Sequence, residues 1–205
     1  MNARGVLASR WLSLGTGLLL AAMWGLFARV HWAYFQRTHE PAMLLFVAAE
    51  GLAALFFVIR RAPASVSTRP LDWAAGFVGT FLPLLLRPAA AGLFPGAHWV
   101  LSVGVALQLG AILSLNRSFA LVAARRALKT RGFYRVVRHP MYACYLLTFA
   151  GYVSTYASAR NAGVVAGVAL LNLLRLHREE AQLAEDPAWE AYAARVRWRL
   201  IPFVY

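Results

Sequence analysis

The chain has 205 residues, 60% of them hydrophobic, a mean hydropathy of +0.56 and a formal net charge of +13. So apolar a composition excludes an ordinary soluble domain, and the length fits one domain. The single cysteine, Cys144, excludes an internal disulfide and a cysteine-cluster metal site, and His31, His39, His98, His139 and His177 show no ligand spacing on one helix face, so no metal is expected.

Spanning a bilayer by helix takes about 20 mainly apolar residues. The stretches that qualify are Trp11 to Ala28, Ala42 to Ile59, Leu71 to Leu86, Ala97 to Leu115, Met141 to Ala157 and Asn161 to Leu176. The expected fold is therefore all-α: a polytopic membrane helical bundle of about six transmembrane helices. The last two, joined by a tight turn, read as a possible short hairpin, and a C-terminal helical cap follows. The first stretch is no convincing signal peptide, because aromatic and basic sequence continues from Trp24 to Arg37 without a clear small-residue cleavage site.

The positive charge is explained by topology rather than by nucleic acid. Of the 21 Lys and Arg residues, 17 lie in alternate segments: Arg4 and Arg10; Arg60, Arg61 and Arg69; the loop from Arg117 to Arg138; and the tail from Arg175. The intervening loops hold only Arg29, Arg37, Arg87 and Arg160. This is the positive-inside pattern for six spans with both termini cytoplasmic, and no nucleic-acid partner is expected. Arginine outnumbers lysine 20 to 1, which suggests a GC-rich bacterial genome and hence the bacterial inner membrane.

Residues 1–115 read as a transmembrane scaffold, with Trp11, Trp24, Trp32, Trp73 and Trp99 mostly near span ends, where amphipathic rings anchor helices at the interface. Glu50 is the exception, an ionisable group in mid-span. Such a group either serves function or is held protonated or paired with a neighbouring helix. Pro83, Pro88 and Pro95 are expected to shorten or kink the third span. The loop Asn116 to Arg138 carries seven basic residues and no acid, and no acid occurs between Asp72 and Glu179.

The densest polar chemistry follows in Gly132 to Phe149, GFYRVVRHPMYACYLLTF. Proline at a first helical position is pre-set for helix and wastes no donor, so Pro140 marks a helix start. Arg138 and His139 beside its free N–H groups form a natural anion site. Tyr142, Tyr145, Phe149, Tyr152 and Tyr156 recur at spacings of 3 and 4, which puts five aromatics on one helix face. The next helix turns from apolar to charged at Arg175, where Glu179 and Glu180 follow, and Arg175 is four residues from Glu179 and able to pair with it. The tail, with Arg195, Arg197 and Arg199 among aromatics, reads as an interfacial cap.

In order, Gly132-x-Tyr134, Arg138-His139-Pro140-x-Tyr142, Glu179-Glu180, Tyr192-x-x-x-Val196 and Ile201-Pro202 resemble the integral membrane methyltransferases, the group of isoprenylcysteine carboxyl methyltransferases, phospholipid N-methyltransferases and their bacterial relatives. The resemblance covers residues 116–205. It departs at Cys144, where relatives commonly have glycine, and at Asp186-Pro187, where they commonly have Phe-Gly. It implies S-adenosylmethionine as cofactor, bound by Tyr134, Arg138, His139, Pro140, Tyr142, Tyr145, Glu179 and Glu180 in a core spanning 116–205. Arg138, His139 and Glu50 are the candidate catalytic residues, the last two for an acceptor that must lose a proton. The acceptor would be a lipophilic or lipid molecule reached from the bilayer, methylated on a carboxylate, thiol or amine. Membrane sterol reductases share a similar C-terminal layout but bind NADPH, whose 2′-phosphate the adjacent Glu179 and Glu180 would repel. A non-catalytic membrane protein is the third reading.

Overall fold

The computed structural model of the chain describes residues 10–59, 65–66, 69–87, 92–115, 124–125 and 128–205. Seven α-helices occur among them. They are α1 (Arg10–Thr38), α2 (Pro41–Ile59), α3 (Pro70–Phe81), α4 (Ala97–Leu115), α5 (Pro140–Thr155), α6 (Ala159–Leu183) and α7 (Pro187–Arg195). A single turn of 3₁₀-helix, Leu82–Leu85, continues α3, and another, Gly132–Arg135, precedes α5. Two two-residue strands, β1 (Ser65–Val66) and β2 (Ala124–Arg125), make an antiparallel bridge between otherwise distant loops. The chain is thus a multi-pass helical membrane protein, as its composition requires.

All six expected stretches are helical, but they are not equivalent. Four helices, α1, α2, α4 and α6, are long and apolar enough to cross a membrane. The other two are short: α3 has 12 residues and α5 has 16, about 18 and 24 Å of helix against a hydrocarbon core of about 30 Å. The cause in α3 is local, because Pro83 falls in the 3₁₀ turn where the α-helical ladder would have continued. Of the two helices expected as a short hairpin only α5 is short, since α6 runs 25 residues. The expected contributions of Arg4, Arg60, Arg61, Pro88 and much of the basic loop after Asn116 lie outside the described residues.

Two sub-bundles meet along α5. In one, α1 packs along α2, α2 against α4, and α4 along α5; in the other, α3 packs on α6, which also touches α5. The first holds the core, with Phe57, Leu101, Val105 and Ile112 almost wholly buried. Small residues let α4 and α5 approach closely: a Cβ on Gly104 would lie 2.8 Å from the Thr148 backbone, and one on Gly151 would collide with Leu101. In lipid, where apolar burial gives no preference between helices, such close approach is how they associate. Asn161, fully buried at the start of α6, joins the sub-bundles from the far end. Its amide accepts from the Arg87 N–H (3.1 Å) and donates to the carbonyls of Arg87 (2.8 Å) and Tyr156 (2.7 Å).

Candidate functional site

The site is built where α5 begins. Gly132 has φ +62°, a region that favours glycine, and a Cβ there would lie 2.5 Å from Ser114 Oγ, so this position of the motif docks the loop on α4. Tyr134 follows in the 3₁₀ turn, and Pro140 is the first residue of α5, as the local rule predicts. The tail then clamps the strip between them. The backbone N–H groups of Arg138 and His139 donate to the carbonyls of Trp198 (2.8 Å) and Arg199 (2.9 Å), and the Tyr192 hydroxyl donates to the Tyr134 carbonyl (2.8 Å). Burial pushes the Tyr134 phenol well above its ordinary range and the Tyr192 phenol up to about 12, so both stay protonated donors.

Glu179 and Glu180 are adjacent in sequence but work on opposite sides. Glu180 is the hub of an ion cluster: His139 Nε2 donates to its Oε1 (3.1 Å) and Arg199 Nε to its Oε2 (2.8 Å). An ionised carboxylate only accepts, so the His139 proton sits on Nε2. Arg138 Nε is 3.3 Å from Glu180 Oε1 but off the hydrogen-bond line, and it has no hydrogen-bond partner among the described residues. The Arg138 guanidinium also lies over the Trp189 ring, 5.8 Å from its centroid. Glu179 instead accepts from the Tyr142 hydroxyl (3.0 Å), and the Arg175 guanidinium covers the Tyr142 ring at 5.6 Å. Arg175 and Glu179, expected to pair, thus both contact Tyr142.

A cavity of about 670 Å³ opens from this cluster into the helices, a size ordinary for a cofactor or small-ligand site. Tyr134, Arg138, His139, Tyr142, Tyr145 and Glu179 line it, whereas Pro140 and Glu180 stand behind its wall. All five aromatics of the α5 stripe, from Tyr142 to Tyr156, face it. Glu50 lines it too, farther along, with Oε2 2.9 Å from His31 Nδ1 on α1; the His31 ring is stacked on Phe46. Pairing with a neighbouring helix and exposure to the cavity therefore both hold for Glu50. Leu26, Val30 and Leu84 line the cavity and are each more than half exposed, which marks a sideways opening between α1 and the end of α3.

Some residues of the site carried little local signal. Asp72 and Arg178, paired at 3.1 Å, lie 106 residues apart, so only the packing of α3 on α6 reveals them. Arg199 reads as one of three tail arginines until its partner Glu180 is placed. Asn172 had a legible signal, a polar side chain within VVAGVALLNLL, the same kind that singled out Glu50. Among the described residues no group of three or more His, Cys, Asp or Glu could hold a metal ion. Cys144 is buried beside Met141, away from the cavity wall.

No curated protein matches the chain. Residues 86–186, from the end of α3 to the start of α7, match the phospholipid methyltransferase family. This segment, which contains Tyr134, Arg138, His139, Tyr142 and Glu179, is similar to the phospholipid methyltransferases, a family of membrane proteins.

Proposed function

We propose that the chain transfers a methyl group from S-adenosylmethionine to a lipophilic acceptor at the cytoplasmic face of the membrane. One observation carries the reading: a single cavity joins the Arg138, His139, Tyr142 and Glu179 cluster to an aromatic passage with a sideways opening between α1 and α3.

The donor set fits the cofactor. Arg138 has a buried Nε with no hydrogen-bond partner among the described residues, a natural match for a carboxylate. Glu179 supplies an acceptor for ribose hydroxyls or the ammonium, and the tyrosine faces suit the sulfonium or the adenine. The bound cofactor supplies an electrophilic methyl group. Glu180 does not line the cavity, so its part is to hold Arg138, His139 and Arg199 in place. The apolar passage keeps water from the reacting end, and positioning supplies most of the remaining rate. His139, with its proton held on Nε2 toward Glu180, serves as an orienting group; Glu50 is the better placed candidate base for an acceptor that must lose a proton.

The test is titration calorimetry on the purified protein, with S-adenosylhomocysteine in one run and NADPH in another. Saturable binding of S-adenosylhomocysteine alone is the expected result. Binding of NADPH alone would move the chain to reductase chemistry, and binding of neither would overturn the proposal.

A further inference from the structure

The cavity has a second polar level that the cofactor cluster does not use. Helix rise, about 1.5 Å per residue, fixes its depth. The Tyr156 hydroxyl donates to Glu40 (2.9 Å) and so ties the end of α5 to the turn between α1 and α2. Counting inward from that tie, seven residues back from Thr38 reaches His31, nine on from Pro41 reaches Glu50, and eight back from Tyr156 reaches Thr148. From the opposite end, Glu179 is level with Tyr142, and seven residues back along α6 lies Asn172, at the level of Phe149. Gln108 joins them, receiving the Thr148 hydroxyl at 3.5 Å. Five polar side chains from five helices thus share one depth, about 10 Å beyond the Tyr142 to Glu179 contact, and all five line the cavity.

Polar side chains gathered at one depth of a membrane protein mark a ligand path or site. This set is asymmetric in charge. Of the cations of the wall, Arg138 lies beside Glu180, Arg175 covers the Tyr142 ring and Arg178 pairs with Asp72, whereas the ring offers the Glu50 carboxylate, paired with His31, and the Asn172 Oδ1. Asn172 is 2% exposed, and its Oδ1 has no hydrogen-bond partner among the described residues. A buried carbonyl oxygen left without a donor is costly unless a ligand supplies one.

We infer that the ring of His31, Glu50, Gln108, Thr148 and Asn172 is the subsite for the acceptor's head group, and that it selects a head that donates N–H or O–H hydrogen bonds over a carboxylate. The identity of that ligand as a methyl acceptor rests on the methyltransferase reading; the binding preference does not. A carboxylate head would meet the Glu50 carboxylate with like charge and would leave the Asn172 Oδ1 without a donor. The apolar chain of such a molecule leaves past Leu26, Val30 and Leu84 into the bilayer.

The probes are dodecylamine and dodecanoate, titrated into the protein in lipid nanodiscs, with S-adenosylhomocysteine affinity measured on the same samples. Wild type is expected to bind dodecylamine saturably and dodecanoate about tenfold more weakly or not at all. Glu50→Gln and Asn172→Leu, both close in shape to the originals, are each expected to weaken dodecylamine by about fivefold while leaving S-adenosylhomocysteine affinity unchanged. Equal affinity for the two probes, no saturable binding of either, or unchanged dodecylamine affinity in both variants would overturn the inference. Failure of wild type to bind S-adenosylhomocysteine while the probe pattern holds would sink the methyltransferase reading and leave the ring a donor-selective site.

Discussion

At the scale of single residues, Glu179 and Glu180 show how neighbours acquire different work. Consecutive helix residues point about 100° apart, so when α6 packs on α5 only one of the two can face the cavity. Glu179 does, held by Tyr142, and Glu180 turns to His139, Arg138 and Arg199. Glu179→Ala should therefore weaken S-adenosylhomocysteine about tenfold, the loss expected when a charged hydrogen-bond acceptor is removed, while thermal unfolding stays close to wild type. Glu180→Ala should cost about 3 kcal/mol of stability, because it leaves three basic side chains without their shared carboxylate. Calorimetry and thermal unfolding of the two variants separate these roles, and the opposite pattern would exchange them. The acidic pair is plain in the sequence; its division of labour is not, because no local rule sets the rotational phase of α6 against α5.

At the scale of elements, the start of α5 was the most legible feature and its packing the least. Pro140 announces the helix through its fixed backbone angle and missing donor, and the 3 and 4 spacing of the tyrosines announces one face. That this face lines a cavity rather than a packed core follows only from where α3 and α6 stand. Gly104 and Gly151 are likewise unremarkable in the sequence, yet they let α4 and α5 touch backbone to backbone. Gly104→Ala or Gly151→Ala should destabilise the bundle by about 1–3 kcal/mol, as overpacking does. By contrast, Gly163→Ala, where an added Cβ meets nothing within 4 Å, should be neutral or stabilising by up to about 1 kcal/mol through helix propensity. Thermal unfolding in detergent of the three variants checks the contrast; a similar loss in all three would remove the close-packing account.

At the scale of the whole molecule, we propose from the arginine distribution that both termini lie on the cytoplasmic side, and a reporter fused after Tyr205 should then be active in the cytoplasm and silent in the periplasm. Activity only in the periplasm would refute that orientation. It would also move the site to the other face, because the tail is bonded to Arg138 and His139. The sequence by itself determined the membrane class, the positions of six helical stretches, the start of α5 and the family resemblance carried by Gly132 to Glu180. Composition, periodicity and proline are local properties and need no partner to be read. Only the tertiary structure decided that α3 and α5 fall short of a full span, that Glu180 braces while Glu179 faces the cavity, and that His31, Glu50, Gln108, Thr148 and Asn172 stand at one depth. Each of these depends on the relative height and rotation of helices far apart in sequence, which are set by glycine contacts and cross-helix hydrogen bonds rather than by any residue's own preference.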